Sequence, residues 1–94
     1  MLCSGCASVT REQALVTAKR EIVRRHCVLP SGYTVVVDAG VFQAEFESPR
    51  PLWWVTFYAP SHHGRRELYT VLINQRTGEV DTFSDIRRTV PSRI

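Results

Sequence analysis

Apolar residues recur at helical spacing in the first third of the chain. Thr10 and Gln13 have the spacing of a capping box at the start of this segment. Proline and glycine in Leu29–Gly32 are a strong stop signal, so we expect the helix to end around His26. The residues that share the apolar face are Ala14, Leu15, Ala18 and Ile22. The pattern predicts an amphipathic helix with one buried face.

After this segment the apolar period changes to two, and β-branched and aromatic residues become frequent. Tyr33–Val37 is a first extended run, and Asp38–Gly40 has the residue types of a turn. Val41–Glu47 then alternates between apolar and polar positions, which is typical of a strand with one solvated face. Ser48–Pro51 should break this strand, because proline cannot donate to a ladder. Leu52–Ala59 is the most apolar run, and we expect it at the centre of the sheet.

The remaining part of the chain predicts a further hairpin. Residues 60–66 are polar and are interpreted as a loop, after which Glu67–Asn74 forms a strand. Arg76–Glu79 reads as a tight turn with Gly78 at positive φ, and Val80–Phe83 pairs back. The predicted fold class is α+β: one N-terminal helix packed on a three- to five-stranded antiparallel sheet, as a two-layer sandwich.

Length and composition limit the organisation to one domain. The chain has 94 residues, with 44% hydrophobic and 22% charged residues, which are the values of an ordinary globular domain. We expect an N-terminal tail at residues 1–8, a single α+β domain at 9–84 and a C-terminal tail at 85–94 that frays.

Two groups of residues are candidates for a binding surface. Trp53 and Trp54 are neighbours on one strand and therefore face opposite ways, so one of them is expected on an exposed sheet face. The formal net charge is +3. Basic residues off the apolar face of the helix, which could contact phosphates or other anions, are Lys19, Arg20 and Arg24. A solvated helix surface explains them more simply, so nucleic acid is not the expected partner, although an anion or nucleic-acid binder stays an alternative function.

The N-terminal segment Leu2–Ser8 resembles the lipobox of bacterial lipoproteins. Ser4 and Gly5 match the small residues before the cleavage point, and Cys6 matches the cysteine that receives the lipid. Cys3 stands where the motif usually has leucine, and the apolar signal stretch is not in this sequence. The resemblance implies lipidation at Cys6 in a longer form of the chain. The lipidated protein would be located at the periplasmic face of a membrane in a bacterial cell envelope.

Residues 11–83 resemble PepSY-type and cystatin-like domains of bacterial envelope proteins. The resemblance rests on the order of these elements along the chain: a helix, a strand with one solvated face, and then two motifs. The motifs are the Trp-Trp-Val-Thr-Phe strand at 53–57 and the Leu-Ile-Asn-Gln-Arg-Thr-Gly-Glu-Val segment at 72–80. It implies binding of another envelope or secreted protein, or inhibition of a peptidase, without catalytic residues. Immunity-type proteins of related fold are the main rival.

Catalytic and metal-binding signals are weak. Glu45 and Glu47 share a face of the predicted strand, but such a pair is more often a solvated surface. Cys3 and Cys6 form a C-x-x-C pair without a preceding strand, and His62 with His63 lack the usual ligand spacing. We therefore expect no enzyme, no cofactor and no metal site. A hydrolase stays the third hypothesis, and a homodimer stays open.

Overall fold

The computed structural model describes residues 8–43, 45–62 and 64–86. Within them, helix α1 (Arg11–Arg24) precedes four strands: β1 (Thr34–Phe42), β2 (Arg50–Ser61), β3 (Gly64–Asn74) and β4 (Val80–Asp85). The strands form an antiparallel sheet in the order β1-β2-β3-β4, so each strand pairs with its neighbours in the sequence. The predicted α+β class, with one helix and an antiparallel sheet, is confirmed.

The start of α1 follows the sequence signal. The Thr10 side chain accepts a hydrogen bond from the Gln13 backbone at 3.1 Å, and the Gln13 side chain accepts one from the Thr10 backbone at 2.8 Å. This reciprocal capping box satisfies two of the amide groups that a helix start leaves without intrahelical partners. The helix ends at Arg24, with Arg25 as its cap and His26 at a φ of 59°.

The core lies between α1 and one face of the sheet. Ala14 and Ala18 are completely buried, and their small side chains let the helix approach the strands closely. The sheet contributes Val37, Val55, Phe57, Ala59, Tyr69, Val71 and Ile73 to this core. Leu15, predicted on the apolar face, is half-buried and packs against the same cluster.

Hydrogen bonds attach the start of the helix to the sheet. The Val9 amide donates to the Gln75 carbonyl at 2.7 Å, and the Trp53 indole N–H donates to the Val9 carbonyl at 2.9 Å. At the other end of α1, the Tyr69 hydroxyl donates to the Val28 carbonyl at 3.1 Å. These bonds fix the helix across the sheet at both of its ends.

The predicted turn at Asp38–Gly40 is wrong. Strand β1 runs without a break from Thr34 to Phe42 and pairs with β2 along its whole length. The turn preference of these residue types is overridden, because nine consecutive pairs with β2 stabilise the extended conformation. The strand predicted at Val41–Glu47 is therefore wrong for the described residues beyond Phe42, and β2 begins only at Arg50.

The predicted loop at residues 60–66 is also wrong for most of its length. Strand β2 continues to Ser61 and β3 begins at Gly64, so a tight hairpin joins them. Pro60 is tolerated because pairing with β1 already ends at Tyr58, and β2 has only one neighbouring strand at that point. A β-bulge in β3 opposite Phe57 and Tyr58 adds one residue, Leu68, which is buried.

The turn between β3 and β4 matches its prediction. Gly78 has a φ of 82°, and its amide donates to the Asn74 carbonyl at 2.8 Å. The Asn74 side chain accepts hydrogen bonds from the backbone amides of Arg76 and Thr77. Strand β4 extends to Asp85, one residue into the predicted tail, while residues 87–94 lie outside the described residues.

Candidate functional site

Helix α1 covers one face of the sheet, and no other helix or strand of the described residues covers the second face. We call this second face the open face. Because side chains alternate along a strand, it is formed by the strand residues that do not point to the helix. On β1 and β2 these are Thr34, Val36, Asp38, Gly40 and Phe42, and Arg50, Leu52, Trp54, Thr56 and Tyr58. On β3 and β4 they include Glu67, Thr70, Leu72, Asn74, Thr82 and Ser84.

The two tryptophans lie on opposite faces of the sheet. Trp53 is on the helix side, where it packs against the core and its indole N–H reaches Val9. Trp54 is therefore on the open face, where it remains half-buried. In the register it stands between Asp38 on β1 and Leu72 on β3. Of the two candidates, only Trp54 is available at this face.

The Trp54 ring lies over Gly40. A methyl group built at Gly40 would lie 2.7 Å from Cζ3 and 3.0 Å from Cε3 of this ring, well inside van der Waals contact. The glycine thus leaves room for an aromatic ring from the neighbouring strand to rest on the backbone. Leu52, which pairs with Gly40, is completely buried at the same place. Around Gly40 and Leu52, near the end of β1, the open face is closely packed.

Charged side chains stand along the open face. The Arg50 guanidinium contacts Asp81 at 3.1 Å and Glu47 at 3.0 Å, and lies over the Phe42 ring at 5.0 Å from its centroid. Among the described residues, no ion pair or hydrogen bond involves the Asp38 carboxylate, which is exposed directly across from Trp54.

The other end of the open face carries a second cation–aromatic contact. The Arg65 guanidinium lies 4.7 Å from the centroid of the Tyr58 ring. Glu67 pairs with Tyr58 in the register and accepts a hydrogen bond from the Thr70 hydroxyl at 2.8 Å. This end has one basic and one acidic residue, so it is close to neutral.

The basic residues predicted on the helix are not near Trp54. Arg24 contacts Glu21 at 2.7 Å and Arg25 contacts the same carboxylate at 2.5 Å. Hydrogen bonding from Arg24, together with that from Arg25, lowers the pKa of Glu21 from 4.5 to about 2 despite its burial. The bond to Glu21 raises the pKa of Arg24. Arg24 therefore belongs to a local ion-pair network in the last turn of the helix.

Lys19 and Arg20 are exposed on α1, on the side of the molecule away from the open face. Arg20 lines a groove of about 500 Å³ between the helix and the β3–β4 turn. Val9, Val16 and Gly78 are among the other lining residues. The sequence-predicted candidates thus divide among the core, the open face and the helix surface, and do not form one site.

The described residues considered for catalysis or metal binding lie in separate parts of the structure. They hold no group of three or more His, Cys, Asp or Glu side chains that could bind a metal ion. Glu45 and Glu47, predicted to share a strand face, lie in the connection after β1, where Glu47 contacts Arg50. Cys27 is a half-buried free thiol. Cys3, Cys6 and His63 lie outside the described residues.

Comparison with known proteins adds no relative. The chain matches no protein-family model, no curated protein and no solved structure. No helix of the described residues is long and apolar enough to cross a bilayer.

Sequence reasoning missed Asp38, Gly40 and Leu72 as parts of the open face. The reason is the turn predicted at residues 38–40, which hid the continuation of the two-residue period into β1. A signal was present in the sequence. Apolar or small residues at Val35, Val37 and Ala39 keep one parity through the predicted turn, as a continuous strand requires.

Proposed function

We propose that this chain is a non-catalytic protein-binding module of a bacterial cell envelope. It binds another envelope or secreted protein through the open face of its sheet. The observation that carries the proposal is that the helices and strands of the described residues cover the sheet on one side only, with Trp54, Val36 and Leu72 half-buried on the other side. Contiguous apolar surface with a polar rim is typical of a protein interaction site.

The proposed cellular location rests on the N-terminal motif. Cys6, preceded by Ser4 and Gly5, is the proposed lipidation site of a longer form of the chain. A lipid on this cysteine would hold the folded domain at the periplasmic face of a membrane. The α+β outline agrees with the proposed PepSY-like or cystatin-like character, which in turn favours protein binding or peptidase inhibition over catalysis.

Site-specific photocrosslinking in the native host tests the binding function. A photoreactive amino acid at Thr82, an exposed open-face position on β4, should give a discrete adduct with one other protein. The matched control is the same amino acid at Lys19, which is exposed on the opposite side of the molecule. Equal adducts at both positions, or none at Thr82, would contradict the proposed binding face.

Partition between a detergent phase and an aqueous phase tests the proposed location separately. The full gene with its upstream sequence should give a product that enters the detergent phase, and Cys6→Ser should move it to the aqueous phase. A product that is aqueous with either residue would remove lipidation from the proposal and leave the binding face untouched.

A further inference from the structure

Charge is unevenly distributed between the helix and the rest of the domain. The segment from Arg11 to Arg25 contains five basic and two acidic residues, a formal net charge of +3. Residues 26–86 contain four basic and seven acidic residues, a formal net charge of −3. The two layers of the fold therefore carry opposite charge, and the excess of acidic residues belongs to the sheet and its connections.

Acidic residues outnumber basic residues around the half of the open face that holds Trp54. Asp38 lies on the face itself, and Glu47 and Asp81 lie at its border, where both contact Arg50. Asp38 is left beside the tryptophan without a cationic partner among the described residues. An aromatic ring next to such a carboxylate attracts positive charge by two independent effects.

The protein itself shows which contacts its aromatic rings prefer. Arginine guanidinium groups lie over Phe83, Phe42 and Tyr58, at 4.3, 5.0 and 4.7 Å from the ring centroids. Tryptophan is the best of the aromatic side chains for this contact. Yet among the described residues no cation lies over Trp54.

We propose that Asp38 and Trp54 together bind an arginine or lysine side chain of a basic segment of the partner protein. The cation lies on the outer side of the Trp54 ring and pairs with the Asp38 carboxylate, while Gly40 supports the ring from below. This inference rests on the proposed function, since it names the chemistry of the partner at the same open face.

A second copy of the chain fits this face less well. If two open faces packed against each other around a two-fold axis, acidic residues such as Asp38 would lie close to acidic residues of the other copy. The repulsion between like charges makes this contact unfavourable. A head-to-tail contact with the basic helix of another copy would leave the open face of the last copy uncovered unless the assembly closed into a ring. A basic segment of a different protein satisfies the charge without either problem.

Titration of Trp54 fluorescence tests the cation position. Trp53→Phe leaves Trp54 as the single tryptophan, and the probe is an acetylated tetra-arginine amide at two salt concentrations. We expect saturable binding that weakens with salt, and no response to a tetra-glutamate peptide of the same length. Asp38→Asn should weaken binding about fivefold, the effect of losing one exposed charge pair while the Trp54 ring is kept.

The matched control is Glu79→Gln, which removes an exposed acidic residue from the β3–β4 turn and should leave the affinity unchanged. Equal affinity in Asp38→Asn and the parent would overturn the proposed position, as would equal weakening in Glu79→Gln. Concentration-dependent dimerisation in sedimentation that Trp54→Ala abolishes would assign the face to a second copy and also overturn it.

The outcomes separate this inference from the proposed function. Photocrosslinking at Thr82 without binding of tetra-arginine would keep the protein-binding face and remove the cation position. Tetra-arginine binding that depends on Asp38, without crosslinking at Thr82 in the host, would keep the cation position and remove the proposed function.

Discussion

The two faces of the sheet differ although the same strands form them. On the helix side, Val55, Phe57 and Val71 are completely buried. Their neighbours on the open face, Thr56 and Leu72, remain half-buried. Backbone pairing is common to both faces, so the helix accounts for the difference at these positions. Strand pairing without a covering helix leaves these side chains partly exposed to solvent.

The two faces are packed in different ways. The helix side is packed by a helix that lies close to the strands, and the open face by a side chain that lies across the neighbouring strand. Ala14 and Ala18 have no exposed surface, because the helix lies directly on the strands at these residues. On the open face, Trp54 instead lies sideways over the backbone of β1 at Gly40. The first arrangement stabilises the fold by burying apolar area, and the second orders a side chain that remains partly accessible.

Truncation of a side chain on the covered face should have the largest effect. Phe57→Ala removes a completely buried ring that also packs against Tyr33, at 6.1 Å between centroids. We expect the free energy of unfolding to fall by about 3 to 5 kcal/mol. Urea denaturation followed by circular dichroism measures it. The control on the open face is Thr56→Ala, for which we expect a loss of less than about 1 kcal/mol; similar losses at both positions would contradict the contrast between the faces.

A methyl group at Gly40 should disturb the open face without unfolding the domain. Gly40→Ala places Cβ against the Trp54 ring, and we expect a loss of about 1 to 2 kcal/mol as the ring is displaced. In a Trp54→Ala background the same change should cost nothing, because the obstacle is gone. A double-mutant cycle in urea measures this coupling. Additive effects would show that the ring does not lie on the glycine.

Loss of the Glu21 carboxylate should have the smallest effect of the three, and it should depend on pH. Glu21→Gln removes the ion pairs to Arg24 and Arg25, and we expect a loss of about 1 kcal/mol at neutral pH because both guanidinium groups are partly exposed.

The direction of this pH dependence follows from the lowered pKa of Glu21. Stabilisation by the carboxylate is fully present above pH 4.5 and is lost as the pH falls towards about 2, where the folded protein takes up the proton. The urea midpoints of Glu21→Gln and the parent should therefore converge between these two pH values. A difference that stays constant over this range would contradict the assignment.

Local sequence signals predicted the elements whose determinants are close together in the chain. The capping box of Thr10 and Gln13 involves groups three residues apart. The turn at Gly78 is held by Asn74, four residues earlier. The opposite facing of Trp53 and Trp54 follows from the two-residue period of any strand. Each of these features could be read from the sequence because the partners are neighbours.

The failed predictions concern residues whose partners are distant. Asp38 and Gly40 have the chemistry of a turn, but they pair with Trp54 and Leu52 across the sheet. Proline at position 60 suggests a loop, but it lies in β2 at a point where only β3 is adjacent. Glu21 was not predicted to be buried, because its burial depends on the packing of the helix against the sheet, although its contacts with Arg24 and Arg25 lie within the same turn of the chain.

The sequence by itself determined the α+β class, the ends of the helix and the last turn. Those properties follow from short-range periodicity and from the conformational preferences of single residues. Only the tertiary structure decided that Trp54 lies on the uncovered face, over Gly40 and beside Asp38. That arrangement depends on the register between β1 and β2, which long-range hydrogen bonding and side-chain packing set together.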